Sequence, residues 1–85
     1  MTITVRVRFF ASLREALGPS TEAELDAGAT VGTLRDLLVA RGGRHAEVLA
    51  RGRAVRCALN QAMCGDDTPL TDAAEVAFFP PVTGG

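Results

Sequence analysis

The apolar residues of this chain change period twice, which restricts the fold to a small mixed sheet around one principal helix. From residue 3 to 10 they alternate. Ile3, Val5, Val7 and Phe9 take one face of a strand, and Thr4, Arg6, Arg8 and Phe10 take the other. From 31 to 41 the spacing turns helical: Val31, Leu34, Leu37, Leu38 and Arg41 share a face, with Arg35 and Asp36 turned outward. From Val55 the period returns to two. Val55, Cys57 and Leu59 point one way, and Arg56, Ala58 and Asn60 the other. A last alternation, Glu75 to Phe79, buries Val76 and Phe78 and turns Ala77 and Phe79 outward.

Punctuation between these segments supplies the rest. Ser12 to Leu17 makes a short helical turn that Gly18-Pro19 stops, and Ser20 to Leu25 forms a second strand antiparallel to the first. Thr30 is placed to cap the main helix, and Gly42-Gly43 to end it. His45 to Arg51 reads as a second short helix burying Val48 and Leu49, ended by Gly52. Asn60-Gln61 is a two-residue turn into a short strand, Ala62 to Cys64, followed by a loop at Gly65-Asp66-Asp67-Thr68-Pro69. The order implies an α+β chain with the ubiquitin-like β-grasp architecture: a mixed sheet packed on one main helix, plus a short second helix. Eighty-five residues allow one domain, expected over 1–80, with a flexible tail at 81–85. A domain of this size hides only about 60% of the surface its unfolded chain exposes.

Composition excludes several kinds of chemistry. Nine basic residues, all Arg, balance ten acidic ones to a net charge of −1, so neither a nucleic-acid stripe nor a polybasic membrane patch is expected. With no Lys there is no Schiff-base or Walker lysine. The longest uncharged, mostly apolar stretch, Val76 to Val82, contains two prolines and falls far short of the roughly 20 residues of a membrane helix. The alternating N-terminus does not read as a signal peptide, so a cytoplasmic location is expected.

Catalytic constellations are missing. The single histidine, His45, is expected to face solvent from a short helix, and Asp66-Asp67 has ordinary turn composition, so no metal site is expected. No glycine-rich phosphate loop is present. Two cysteines are too few for a disulfide scaffold or a four-thiolate cluster. A two-residue turn at 60–61 pairs 59 with 62, 58 with 63 and 57 with 64, setting Cys57 and Cys64 opposite each other, near enough for a bond in principle; reduced thiols are the expected state, and the sequence does not decide whether they cross-link.

The end of the chain carries the functional signal. After Glu75 no side chain is charged, and Phe78-Phe79-Pro80-Pro81-Val82-Thr83-Gly84-Gly85 has the character of an inserted probe. Pro80 and Pro81 hold the exit extended, which lowers the entropy lost on capture. The uncharged Val82-Thr83 avoids a desolvation cost. Gly84 and Gly85, having no Cβ, let a terminal carboxylate pass a narrow channel. Phe10, Ala58, Ala77 and Phe79, extended by Met63, are expected to form an exposed apolar patch beside the exit and to bind a partner.

On these residues the chain resembles the family of small sulfur-carrier subunits of molybdopterin synthase. The likeness covers essentially the whole chain. It includes Val7-Arg8-Phe9-Phe10-Ala11 with Leu13-Arg14-Glu15, Ala29-Thr30-Val31, Ala58-Leu59-Asn60-Gln61, and above all Glu75 through Gly85. The chain departs from the family at Ala73-Ala74, where a glycine turn is usual, and at Cys57 and Cys64, where small or aliphatic residues are usual. The resemblance implies no intrinsically bound cofactor and no catalysis by this chain alone. Gly85 would instead carry a covalent glycyl adenylate and then a 1-thioglycine thiocarboxylate. It implies three partners: a ubiquitin-activating-like adenylyltransferase, a sulfurtransferase, and the large synthase subunit, with which it would form a heterotetramer. There the tail would donate sulfur to cyclic pyranopterin monophosphate, and two transfers would build the molybdopterin dithiolene. Thiamine-pathway sulfur carriers, ubiquitin-like protein modifiers and a plain binding module are the alternative readings of the same tail.

Overall fold

A computed structural model describes residues 1–50, 52 and 54–81. Strand β1 (Thr2–Phe9) is followed by α1 (Ser12–Leu17), β2 (Ser20–Asp26), α2 (Val31–Val39), α3 (Gly43–Leu49), β3 (Arg56–Leu59), β4 (Ala62–Cys64) and β5 (Glu75–Phe79). The five strands form one sheet in the order β2-β1-β5-β3-β4. Strand β1 lies antiparallel to β2 and parallel to β5, so the first and last strands are neighbours at its centre. This is the β-grasp arrangement expected from the element order.

Alternation in β1 buries Ile3, Val5, Val7 and Phe9 and exposes the residues between them. Val76 and Phe78 of β5 continue that inner face, and Val31, Leu34 and Leu38 of α2 join the same core. The inner positions of both central strands are bulky and apolar. Full burial of each such side chain contributes roughly 1.5–3 kcal/mol.

Helix α2 begins where its cap was expected. Thr33 donates its N–H to Thr30 Oγ1 at 3.2 Å, and Thr30 N–H donates to Thr33 Oγ1 at 3.3 Å, a reciprocal box with threonine on both sides. Two further amides of the first turn are satisfied from a distant loop: Val31 N–H donates to the Thr68 carbonyl at 2.9 Å and Gly32 N–H to the Asp66 carbonyl at 2.7 Å. The Asp66-Asp67 turn is therefore tied to the helix start.

Three helical expectations need correction. Arg35 does not face outward; it is 4% exposed. Its Nε donates to the Leu49 carbonyl at 2.6 Å and its Nη2 to the Ala50 carbonyl at 2.7 Å, while Nη1 lies 3.8 Å from the Asp66 carboxylate. The end of α3 packs over that face of α2 and supplies carbonyls that need donors. Arg41 does not join the inner face, because α2 ends at Val39. It reaches across to β2 and donates to Thr21 Oγ1 and the Glu22 carbonyl. The second helix starts at Gly43 rather than His45 and ends at Leu49, where Ala50 is extended; Arg51 lies outside the described residues. Gly42 and Gly43, with φ of 77° and 56°, turn the chain directly from one helix into the next.

The Asn60-Gln61 turn is as expected, with φ of 48° and 72° at its two residues. It pairs Leu59 with Ala62, Ala58 with Met63 and Cys57 with Cys64. Among the described residues no helix is long and apolar enough to cross a membrane.

At Ala73-Ala74, where the sequence lacks a glycine turn, the backbone turns through the left-handed region regardless. Ala73 has φ of 66°, its N–H donates to the Thr4 carbonyl at 2.8 Å, and Arg6 N–H donates to the Ala74 carbonyl at 2.9 Å. These bonds hold an alanine where its Cβ is unfavourable. Ala73→Gly should therefore stabilise the fold by about 1 kcal/mol, read as a higher midpoint in urea unfolding. An unchanged or lower midpoint would show that the alanine carries no strain there.

Candidate functional site

Residues directly opposite each other in a sheet share a face, so the registers place the outward side chains in rows. Arg8 lies beside Ala77, Ala77 beside Ala58, and Ala58 beside Met63. In the next row towards the chain exit, Phe79 lies beside Arg56. Phe10 extends that row past the end of β1, because its N–H donates to the Phe78 carbonyl at 3.1 Å and prolongs the parallel pairing with β5. Phe10, Phe79 and Met63 thus stand on one face at the end of the sheet from which the tail leaves.

Their exposures differ. Met63 is 62% exposed and Phe10 39%, whereas Phe79 and Ala77 are half-buried. Ala58 departs from expectation: it is 8% exposed, a small side chain set between Ala77 and Met63 in its row. The open apolar surface therefore rests on the three large residues.

Two arginines border this surface. The Arg8 guanidinium lies over the Phe10 ring, 5.5 Å from its centroid, and also 3.9 Å from the Glu75 carboxylate. Arg56, beside Phe79, is exposed. Sequence reasoning did not single out either arginine, since nothing in the alternation separates Arg8 from Arg6. The signal was the position two residues before Phe10, which becomes a contact once both sit on one face.

The exit is also shaped by the other side of the sheet. Pro80 is half-buried and lines a shallow depression of about 230 Å³ with Ser12 and Leu13 of α1, Val48 of α3, and Ala54 and Val55. Pro81 is half-buried. Val82, Thr83, Gly84 and Gly85, expected to form the tail, lie outside the described residues.

No group of His, Cys, Asp and Glu suited to a metal ion occurs among the described residues. Asp66 is engaged through its carbonyl with Gly32 and its carboxylate with Arg35. His45 is half-buried instead of facing solvent, with its ring edge-on to Phe9 at 6.4 Å between centroids. Burial, then the nearby Arg41 charge, lowers its pKa below the ordinary 6.5. What the described surface offers is an apolar, arginine-bordered face next to the root of a tail without charged side chains.

A family model described as the ThiS family matches residues 7–85. A protein of Escherichia coli (strain K12) named molybdopterin synthase sulfur carrier subunit is 46% identical over 82 residues, covering 95% of this chain and 99% of the relative. Among solved structures, H. volcanii small archaeal modifier protein 1 is similar with a TM-score of 0.77 and 25% identity, over 94% of this chain and 99% of that one. A chain in the protein–protein complex of subunits 1 and 2 of molybdopterin-converting factor from Helicobacter pylori 26695 is similar with a TM-score of 0.69 and 26% identity, over 98% and 100%.

The depressed His45 pKa has a consequence for stability. The unfolded chain binds a proton at this site more readily than the folded one, so the contribution of His45 is fully present above pH 6.5 and is lost as pH falls towards the folded value. His45→Gln should flatten the decline in melting temperature between pH 7 and pH 5.5. Superimposable pH profiles for the two proteins would overturn this assignment.

Proposed function

The chain belongs to the ThiS family, and from that membership we propose that it is the sulfur carrier of a molybdopterin synthase, loaded at Gly85. The observation that carries the reading is the 46% identity to a relative of that name across nearly all of both chains. The uncharged tail beginning at Pro80 and the apolar face beside its root support it physically.

In this reading the Gly85 carboxylate attacks the α-phosphorus of ATP, held by a ubiquitin-activating-like adenylyltransferase. Pyrophosphate leaves and a glycyl adenylate remains. A sulfur nucleophile delivered by a sulfurtransferase then displaces AMP from the acyl carbon, leaving a thiocarboxylate. The loaded tail enters the large synthase subunit and its sulfur attacks cyclic pyranopterin monophosphate; water then cleaves the acyl C–S bond, leaving the sulfur on the pterin and the Gly85 carboxylate restored, and two such transfers complete the dithiolene. This chain is the non-catalytic subunit and binds no cofactor beyond the groups carried on Gly85. Its proposed place of action is the cytoplasm.

The docking face has a matching role. Phe10, Phe79 and Met63 would seat against an apolar surface of the large subunit, and Arg8 and Arg56 would meet acidic groups at its rim. Pro80 and Pro81 would aim Val82, Thr83 and Gly84 into the channel with little entropy left to lose. The likeness to a small archaeal modifier protein favours a second reading, in which Gly85 is joined to a lysine of a target protein. This chain has no lysine, so adducts of that kind would form only on other proteins.

Incubation with cell extract, ATP and a sulfur donor, followed by intact-mass measurement, separates the two. A carrier shows a gain equal to replacing one oxygen by sulfur, absent when Gly84 and Gly85 are deleted. Isopeptide-linked adducts without that gain would establish the modifier instead. For the docking face, Met63→Asp should weaken binding to the large subunit by about tenfold or more while leaving the thermal melt near wild type. Unchanged affinity would remove Met63 from the interface.

A further inference from the structure

Cys57 and Cys64 are the chain's two cysteines, and the carrier chemistry uses neither. They are register partners on β3 and β4, both free thiols. Cys64 donates to Cys57 Sγ at 3.5 Å, and the Cys57 thiol donates to the Cys64 carbonyl at 3.3 Å. Asn60 N–H donates to the Glu75 carbonyl, so β3 turns the backbone of alternate residues 58 and 60 to β5 and that of 57 and 59 to β4. Cys57 and Cys64 are thus a hydrogen-bonded cross-strand pair, with Cα atoms about 5.5 Å apart, inside the roughly 4.4–6.8 Å that disulfides span.

We propose that Cys57 and Cys64 form a dithiol site that reacts with low-molecular-weight disulfides to give an intramolecular cross-strand disulfide. The two residues differ in access, which sets the order of events. Cys57 is buried among core residues, whereas Cys64 is half-buried on β4, the edge strand of the sheet. The Cys64 thiolate attacks one sulfur of the incoming disulfide, breaking its S–S bond and releasing one thiolate, which takes up the proton Cys64 lost. Cys57 then gives up its proton and attacks Cys64 Sγ, expelling the second thiolate, which is protonated in turn. Two protein thiols are oxidised and one disulfide is reduced to two thiols.

The surroundings favour this division of labour. Burial, the hydrogen bond and charge of Cys64, and the Asp66 carboxylate push the Cys57 thiol up to about 12, with the Arg35 guanidinium opposing them. Cys57 is therefore a poor first attacker and acts once the mixed disulfide has placed its target alongside. Closing the sulfurs to about 2.05 Å needs only side-chain rotation and small shifts of the hairpin, and β4, three residues long, is the edge strand of the sheet among the described residues. The same hairpin carries Met63 on its outer face, so the cross-link pins one corner of the docking surface. This site does not rest on the carrier reading.

The test uses the full, reduced chain with glutathione disulfide as probe at pH 8, quenched in acid and read by intact mass and thiol alkylation. The expected product is a monomer lighter by two hydrogen atoms, with neither thiol open to alkylation, restored by dithiothreitol. Cys57→Ser should stop at a single glutathione adduct on Cys64, and Cys64→Ser should form an adduct about tenfold or more slowly than Cys57→Ser. Accumulation in the wild type of glutathione adducts or covalent dimers without the lighter monomer would overturn the proposal. Equal adduct rates in the two variants would overturn the assigned order. If a serine variant fails to fold, the wild-type mass alone decides whether the site exists.

Discussion

The parallel pairing of β1 with β5 is the constraint on which the other elements depend. Phe9 and Phe78 are directly opposed in that pairing, both fully buried, with rings stacked at 6.4 Å between centroids. Parallel strands cannot be joined by a tight turn, so the intervening chain must cross over the sheet. Helix α2 makes that crossing and covers the inner face, and β3 and β4 return as a hairpin on the far side of β5. One consequence is functional: the last strand leaves the middle of the sheet, and the tail departs beside Phe10 rather than from an isolated edge.

The second level of organisation is polar and runs through loops. The turn at 65–68 supplies carbonyls to the first amides of α2, and the Asp66 carboxylate faces Arg35 on the same helix. Arg35 in turn satisfies the carbonyls that close α3. No buried side-chain nitrogen or oxygen among the described residues lacks a hydrogen-bond partner. A buried guanidinium is tolerated because its donors are spent on carbonyls fixed by the helix end, with a carboxylate close enough to balance its charge. This network ties the end of α3 to α2, and α3 and α1, with Val55, bound the depression that Pro80 lines.

The fold sets an arginine-bordered apolar face beside the root of the tail. The face carries the large apolar residues and the arginines that border them, while no side chain from Val76 onward is charged. That face and the root of the tail at Pro80 are thus separated along the chain but meet at one end of the sheet. In the proposed function, partners supply the nucleotide and acid–base groups and this chain supplies the acyl carbon.

Features governed by neighbours in the chain were legible from sequence. The alternation of β1 and β5, the threonine cap of α2, the Asn60-Gln61 turn and the facing of Cys57 and Cys64 all follow from local backbone preference, since period and turn length set which side chains oppose. The tail's composition was equally plain. The tertiary structure alone decided the burial of Arg35, whose partners lie 14 and 15 residues away, the reach of Arg41 back to β2, and the seat of His45 against Phe9. It also decided that Ala58 would be covered and that Arg8 would lie over Phe10. A helical pattern records which residues share a side, not what packs there. Burial and charge pairing depend on elements brought together by the crossover, and those contacts exist only once the sheet has closed around β1 and β5.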